Sequence, residues 1–264
     1  MSGVALADEE LTDDAFLGGR LRLLQPARGH RAGHDALLLA ASVPDDARHA
    51  VDLGAGVGAA GLALATRLAD VEVTLVELDP ATAALAERNA ARLRPDAAAA
   101  ARIRVVAADV GSIGRPSGPA HPAARGADAV LMNPPFNNPA RHRPSPHERR
   151  ALAHSVADAG IDIWFAAAER MLAPGGRLVL IHRPEAIEGL LLALKGRFGS
   201  VTIRPVHPRP DAPAIRLLIG AVKGRRTPPA LLPPLVLADR DGRPSDAAER
   251  ILREGRSVER ALIP

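Results

Sequence analysis

Residues 133 to 136 read "NPPF", a polar turn followed by an aromatic ring. An exocyclic amine on a flat ring is a poor nucleophile, and two acceptors aimed at its hydrogens would direct its lone pair towards an electrophile. The side-chain oxygen of Asn133 and the carbonyl of Pro134 are suitable acceptors, and Pro135 keeps the turn stiff and extended. Phe136, in a chain with four phenylalanines, one tryptophan and no tyrosine, offers a stacking surface. The turn predicts a planar, amine-bearing substrate and four catalytic residues, although a turn whose phenylalanine packs in the core would look the same.

A glycine-rich stretch, "DLGAGVGAAG", begins at Asp52 and leads from a short apolar run into a helical pattern. Glycines let a backbone turn sharply and approach a ligand without interference from Cβ atoms. Gly54, Gly56 and Gly58 are therefore expected to bind a nucleotide-like cofactor. With Ala59 the stretch also fits the dinucleotide pattern G-x-G-x-x-G/A, so NAD is an alternative.

Polar side chains close four successive predicted strands. They are Asp52, Glu77, Asp109 and Asn133. Open α/β sheets bind ligands at the carboxyl ends of their strands. The first three can contact the amino group, the ribose and the adenine of S-adenosylmethionine, and Asn133 would border both cofactor and substrate. Since a nicotinamide-dependent oxidoreductase does not need an Asn-Pro-Pro-Phe turn at that edge, S-adenosylmethionine is the favoured cofactor.

A parallel sheet is required to bring these residues together. From residue 50 onward, β-branched runs alternate with Ala- and Leu-rich helical patterns, which is typical of βαβ units. Core strands are predicted at 49–54, 71–78, 102–109, 127–133 and 177–182, and helices near 58–69, 80–93, 147–172 (as two helices) and 184–197. Strands at 200–206 and 214–222 are separated by too short a loop for a crossover helix, which predicts an antiparallel hairpin. The expected fold is α/β and Rossmann-like, with a mostly parallel seven-stranded sheet that ends in this hairpin.

One domain suits 264 residues. We expect an N-terminal hairpin and helix at 11–48, the catalytic core at 49–222 and a strand-helix extension at 223–264. A Gly- and Pro-rich surface loop is predicted at 111–126.

Several function classes are disfavoured by composition. No apolar run reaches the ~20 residues of a membrane span, and the acidic start lacks the features of a secretory signal, so we expect a cytoplasmic protein. The absence of cysteine excludes disulfides and thiolate metal sites. His142, His147 and His154 lack a placed carboxylate, so no metal site is predicted.

Arginines supply nearly all of the basic charge, which fits an RNA partner or simply a GC-rich coding sequence. Those directly after the NPPF turn could hold phosphates that flank an extruded base. They are Arg141, Arg143, Arg149 and Arg150. We expect the same face to include Arg20, Arg22, Arg28, Arg31, Arg204 and Arg209.

These motifs resemble the class I S-adenosylmethionine-dependent methyltransferases of the amine-methylating NPP(F/Y) group. Within it the chain is most similar to bacterial tRNA (adenine-N6)-methyltransferases that modify the adenosine 3′ of the anticodon in a valine tRNA. This narrower resemblance rests on "RAGHDALLLA" at residues 31–40 and on the short tail, and it implies that Gly33 and Asp35 lie near the cofactor. It further implies a tRNA substrate. Separately, we expect a monomer without a metal or a membrane partner.

Two alternative functions are methylation of a nitrogen by the same chemistry, but on a different substrate. One is a glutamine amide in a protein such as a release factor, although those enzymes usually carry an N-terminal helical bundle for which little room exists before the first core strand. The other is guanine N2 of ribosomal RNA. Binding of S-adenosylmethionine without catalysis is a third possibility.

Overall fold

The computed structural model describes residues 10–29, 31–93, 102–115, 126–135, 148–258 and 262–263, with the side chains of 148–159 excepted. The strands are β1 Leu11–Phe16, β2 Leu21–Pro26, β3 His49–Leu53, β4 Glu72–Glu77, β5 Ile103–Ala107, β6 Ala127–Met132, β7 Leu172–His182, β8 Phe198–His207, β9 Arg216–Lys223, β10 Ala230–Leu231 and β11 Leu235–Val236. The helices are α1 His34–Ala41, α2 Ala59–Arg67, α3 Pro80–Arg92, α4 Glu148–Met171, α5 Ile187–Leu194 and α6 Asp246–Leu252.

The main sheet has the order β10-β8-β9-β7-β6-β3-β4-β5, and β11 also pairs with β8. Strands β3 to β7 pair in parallel, whereas β9 is antiparallel to both β7 and β8. The expected α/β, Rossmann-like sheet of seven strands with a terminal antiparallel hairpin is therefore confirmed. The short strands β10 and β11 extend it beyond β8.

Two apolar layers cover the sheet because its strands point alternate side chains to opposite faces. Leu75 and Leu131 face α1, α2 and the N-terminal hairpin β1–β2. Leu53 and Met132 face α4, whose Phe165 is fully buried. Helices α2 and α4 thus lie on opposite sides of the strands that carry the predicted site.

Three of the differences from the predicted elements concern residues around the proposed site. Strand β3 ends at Leu53, one residue earlier than predicted, and Asp52 is its penultimate residue, paired with Leu75 and Leu131. Strand β5 stops at Ala107, two residues before Asp109. The expected pair of helices at 147–172 is one continuous helix, α4.

The hairpin β1–β2 is attached to the core by Asn89 of α3. The Asn89 side chain accepts from the Leu24 N–H at 2.8 Å and donates to the Leu24 carbonyl at 3.0 Å. It also donates to the Val57 carbonyl at 3.0 Å. A single buried amide thereby connects the hairpin to the glycine-rich turn.

Candidate functional site

The glycine-rich turn between β3 and α2 borders an open space at the carboxyl edge of the sheet. Gly56 has φ 57°, and no described atom lies within 4 Å of the position that a Cβ would occupy. A left-handed glycine beside open space is suited to close approach by a ligand. The turn is bound to β4 through the Ala55 N–H, which donates to the Val76 carbonyl at 2.9 Å.

Glu77, the last residue of β4, holds this turn through its carboxylate. One oxygen accepts from the Gly56 N–H at 2.8 Å and the other from the Asp79 N–H at 3.0 Å. Each carboxylate oxygen has a second lone pair, so Glu77 can also accept from the two hydroxyls of a ribose. Next to it, Leu78 keeps 63% of its surface exposed, which leaves an apolar surface that a flat ring could contact.

Asp52 is placed differently from the other acidic residues. It is 2% exposed, and its Oδ2 accepts from the Gly61 N–H of α2 at 2.8 Å. Burial raises the pKa of Asp52 to about 7, and the nearby charge of Glu77 adds to the increase. The observed contact joins β3 to the first turn of α2, and contact with a cofactor amino group stays a prediction.

Asp109 shapes the turn that follows β5. Its Oδ1 accepts from the Gly111 N–H at 2.6 Å. From α4, Arg170 donates to the carbonyls of Gly111 at 3.2 Å and Ile113 at 3.1 Å. The turn is therefore fixed to the helix layer, and a contact of Asp109 with adenine stays a prediction.

Asn133 follows β6 directly and carries an unusual acceptor. Its Oδ1 is buried and has no hydrogen-bond partner among the described residues. A buried acceptor without a donor costs ~1–3 kcal/mol, and an N–H or O–H group of a ligand would offset this cost; that Asn133 binds the substrate amine stays a prediction. Pro134 is buried and Pro135 exposed.

Several predicted substrate residues lie outside the described part of the chain. Phe136, Arg141 and Arg143 are among them, as are the side chains of Arg149 and Arg150. Stacking on Phe136 and phosphate binding by these arginines stay predictions.

Gly33 and Asp35 lie at the start of α1. Gly33 is the extended residue that precedes the helix. Asp35 forms an ion pair with Arg216 of β9, with 2.7 Å between its Oδ2 and Nε. Their proximity to the cofactor stays a prediction.

The second group of arginines is largely engaged within the fold. Arg22 pairs with Asp13 and Arg31 with Asp14. The expectation that Arg204 binds phosphate at the surface is wrong, because Arg204 lies within β8 and is 4% exposed.

Sequence reasoning missed one residue at the glycine turn, Trp164 of α4. A Cβ on Gly54 would lie 2.3 Å from the indole Cη2, so the ring packs directly on the turn. Its status as the sole tryptophan was the available signal.

The residues present fit S-adenosylmethionine. Gly56 borders open space in which a ligand can approach the backbone closely. Glu77 offers carboxylate oxygens for a ribose, and the Oδ1 of Asn133 has no hydrogen-bond partner among the described residues. Within the described ranges, no cluster of three or more His, Asp or Glu side chains could hold a metal. In the same ranges no helix is both long and apolar enough to cross a bilayer.

Known proteins are similar to this chain in sequence and in architecture. The Methyltransferase small domain family matches residues 32–204. A curated Porphyromonas gingivalis W83 protein, named tRNA1(Val) (adenine(37)-N6)-methyltransferase, is 31% identical over 211 residues, which are 78% of this chain and 79% of that protein. The Ribosomal RNA large subunit methyltransferase G of Aeromonas salmonicida is 32% identical over 139 residues, 51% of this chain and 29% of that protein.

A solved structure from Agrobacterium tumefaciens, described as a predicted O-methyltransferase, superposes with a TM-score of 0.69 at 33% identity and covers 85% of this chain and 97% of that one. The family model alone spans more than half of the present sequence, and it covers β3 to β7 with all the turns described above. The chain is therefore a methyltransferase of the Methyltransferase small domain family, and S-adenosylmethionine is its methyl donor.

Proposed function

We propose that this enzyme methylates N6 of adenosine in tRNA, at the nucleotide immediately 3′ of the anticodon of a valine tRNA. The observation that carries the proposal is the buried Oδ1 of Asn133 at the carboxyl end of β6, which has no hydrogen-bond partner among the described residues. The printed name of the Porphyromonas gingivalis relative supports the choice of adenine and of tRNA.

An amine suits this acceptor better than a hydroxyl group does. An exocyclic amine has two hydrogens, and Asn133 Oδ1 with the Pro134 carbonyl would accept one each. A hydroxyl has a single hydrogen and would leave one acceptor unsatisfied, at a cost of ~1–3 kcal/mol if that acceptor is buried. The two acceptors withdraw the nitrogen lone pair from the ring and direct it at the donor.

S-adenosylmethionine supplies a methyl group made electrophilic by its sulfonium. The chain would hold it through the turn at Gly54, Gly56 and Gly58, with Glu77 accepting from the ribose hydroxyls. Leu78 and Asp109 would border the adenine, the leucine with its exposed apolar surface and the aspartate as an acceptor. Positioning of this kind accounts for a large part of a bimolecular rate enhancement, and no dedicated general base is needed before transfer.

On the substrate side, Phe136 would stack on the extruded base. Arg141, Arg143, Arg149 and Arg150 would hold the flanking phosphates, because they follow the turn directly in the chain. Base stacking of this kind is worth ~1–3 kcal/mol.

Ribosomal RNA is the second candidate substrate, through guanine N2, which also presents an exocyclic amine. It is favoured by the printed name of the Aeromonas salmonicida relative, although that match spans only 29% of the relative.

The decisive experiment incubates the purified enzyme with S-adenosylmethionine and a valine tRNA transcript, followed by nucleoside mass spectrometry. We expect N6-methyladenosine in this transcript and none in a transcript whose target adenosine is replaced by guanosine. A methyl group on the control transcript, or on ribosomal RNA in preference to tRNA, would overturn the assignment. The same analysis of tRNA from cells with and without the gene tests it in vivo.

A further inference from the structure

The indole ring of Trp164 packs on the glycine turn from the layer opposite to α2. A Cβ placed on Gly54 would lie 2.3 Å from Cη2 and 2.8 Å from Cζ3 of this ring. Real Cβ atoms do not approach so closely, so the ring fills the space into which any other residue would project its side chain. Gly54 has φ 68°, and only glycine adopts this conformation at little cost.

Asn89 of α3 holds the turn at the Val57 carbonyl, and β4 constrains it through two further contacts. They are the hydrogen bonds from Ala55 to the Val76 carbonyl and from Gly56 to Glu77. Because β4 holds the turn from within the sheet and Trp164 supports it from α4, the turn is clamped between two independent elements. Loss of the indole would leave the Gly54 side of the clamp without support.

Helix α4 supports the neighbouring turn as well. A Cβ on Gly111 would lie 3.2 Å from Cγ2 of Ile163, the residue before Trp164. About two turns further along, Arg170 donates to the carbonyls of Gly111 and Ile113. One helix therefore contacts both turns that we assign to the cofactor, the one after β3 and the one after β5.

We propose that Trp164 is a positioning residue for S-adenosylmethionine, which acts through Gly54 by holding the glycine turn in its binding conformation. Because Trp164 contacts the glycine turn, we expect it to affect the affinity for the cofactor. We do not expect it to affect the hydrogen bonds from the substrate amine to Asn133. The proposal rests on the methyltransferase activity alone and is independent of which amine is methylated.

Fluorescence provides a direct test, because the chain has one tryptophan and no tyrosine. Titration of the native enzyme with S-adenosylhomocysteine should change the Trp164 emission, with half-saturation at the Kd measured by calorimetry. Unchanged emission at saturating ligand would overturn the proposal.

Substitution separates positioning from general stability. Trp164→Ala should raise the Kd for S-adenosylhomocysteine about tenfold, or 1.4 kcal/mol, and Trp164→Phe should raise it less. KM for S-adenosylmethionine should rise in parallel while kcat at saturating cofactor stays within about twofold. The matched control is Phe165→Leu, since Phe165 is fully buried and packs edge-on against Phe198, 6.4 Å between ring centroids.

Phe165→Leu should lower Tm and leave the Kd unchanged. Native affinity in both Trp164 variants would refute the proposal, as would an equal loss of affinity in Phe165→Leu. Trp164→Phe retains most of the ring and keeps the test valid if Trp164→Ala does not fold.

A double-mutant cycle tests the route through Gly54. Gly54→Ala should weaken cofactor binding strongly in the native background, because the new methyl group collides with the indole. In the Trp164→Ala background the same substitution should cost several-fold less, since the collision is gone and only the backbone strain remains. Strictly additive effects would show that Trp164 acts by another route.

Discussion

Glu77 Oε2 accepts a hydrogen bond from the backbone N–H of Gly56 at 2.8 Å. This bond connects the end of β4 to the turn that follows β3, so the residue proposed to hold the ribose also shapes the backbone proposed to approach the cofactor. The two functions cannot be altered separately by removing the side chain. A conservative substitution can separate them in part.

Glu77→Gln should weaken binding of S-adenosylhomocysteine by roughly 10- to 100-fold, because hydrogen bonds to a charged group are worth ~1.5–3 kcal/mol. Calorimetric titration measures this directly. Glu72→Gln is a matched control at the amino end of the same strand, where Glu72 is exposed and pairs with His49 across 3.4 Å. A similar loss of affinity in both variants would contradict the assigned role of Glu77.

Asn133→Ala should reduce kcat by about 10²- to 10³-fold, the magnitude found when one hydrogen bond to a reacting group is removed. The Kd for S-adenosylhomocysteine should change little, because the lost oxygen is assigned to the amine of the substrate. Single-turnover methylation assays and calorimetry measure the two quantities. Turnover at the native rate would show that the Oδ1 of Asn133 has no part in the reaction.

Asp52 makes the stability of the enzyme dependent on pH. Its pKa is about 7 in the folded protein against 3.8 for the ordinary group, so the folded state binds the proton more tightly than the unfolded state does. The stability that this proton confers is fully present below about pH 4 and is lost as pH rises to about 7. Asp52→Asn stays neutral and can still accept from Gly61, so it removes this dependence.

The difference in unfolding free energy between Asp52→Asn and the native enzyme should therefore grow in favour of the variant from about pH 4 to 7. The total change is at most on the order of 4 kcal/mol, from 1.36 kcal/mol per pKa unit. Urea denaturation at several pH values measures it. A difference that is constant across this range would contradict a raised pKa for Asp52.

The strands were accessible to sequence reasoning because alternating and continuous apolar runs indicate which residues are buried. Strand ends were less accessible, since they depend on pairing partners distant in the chain. Asp109 illustrates this: it was predicted to close the third strand, but β5 stops two residues earlier, at Ala107. For the same reason the contact between Trp164 and Gly54, 110 positions apart by their numbers, left no local pattern.

Gly56→Ala should abolish detectable binding of S-adenosylhomocysteine while lowering stability only modestly. The free protein has room for the methyl group, since no described atom lies within 4 Å of the Cβ position. The left-handed φ of 57° costs a non-glycine residue ~1–2 kcal/mol. The loss of binding would then arise because the methyl group occupies space needed by the cofactor.

Gly175→Ala is the matched control for that substitution. Gly175 also has a left-handed φ, 77°, and open space at its Cβ position, but it lies near the amino end of β7, far from the proposed site. Both variants should lose similar amounts of stability in urea denaturation, and only Gly56→Ala should lose the ligand. If Gly56→Ala binds S-adenosylhomocysteine as Gly175→Ala does, the cofactor does not approach the backbone at Gly56 and the glycine turn has only a structural role.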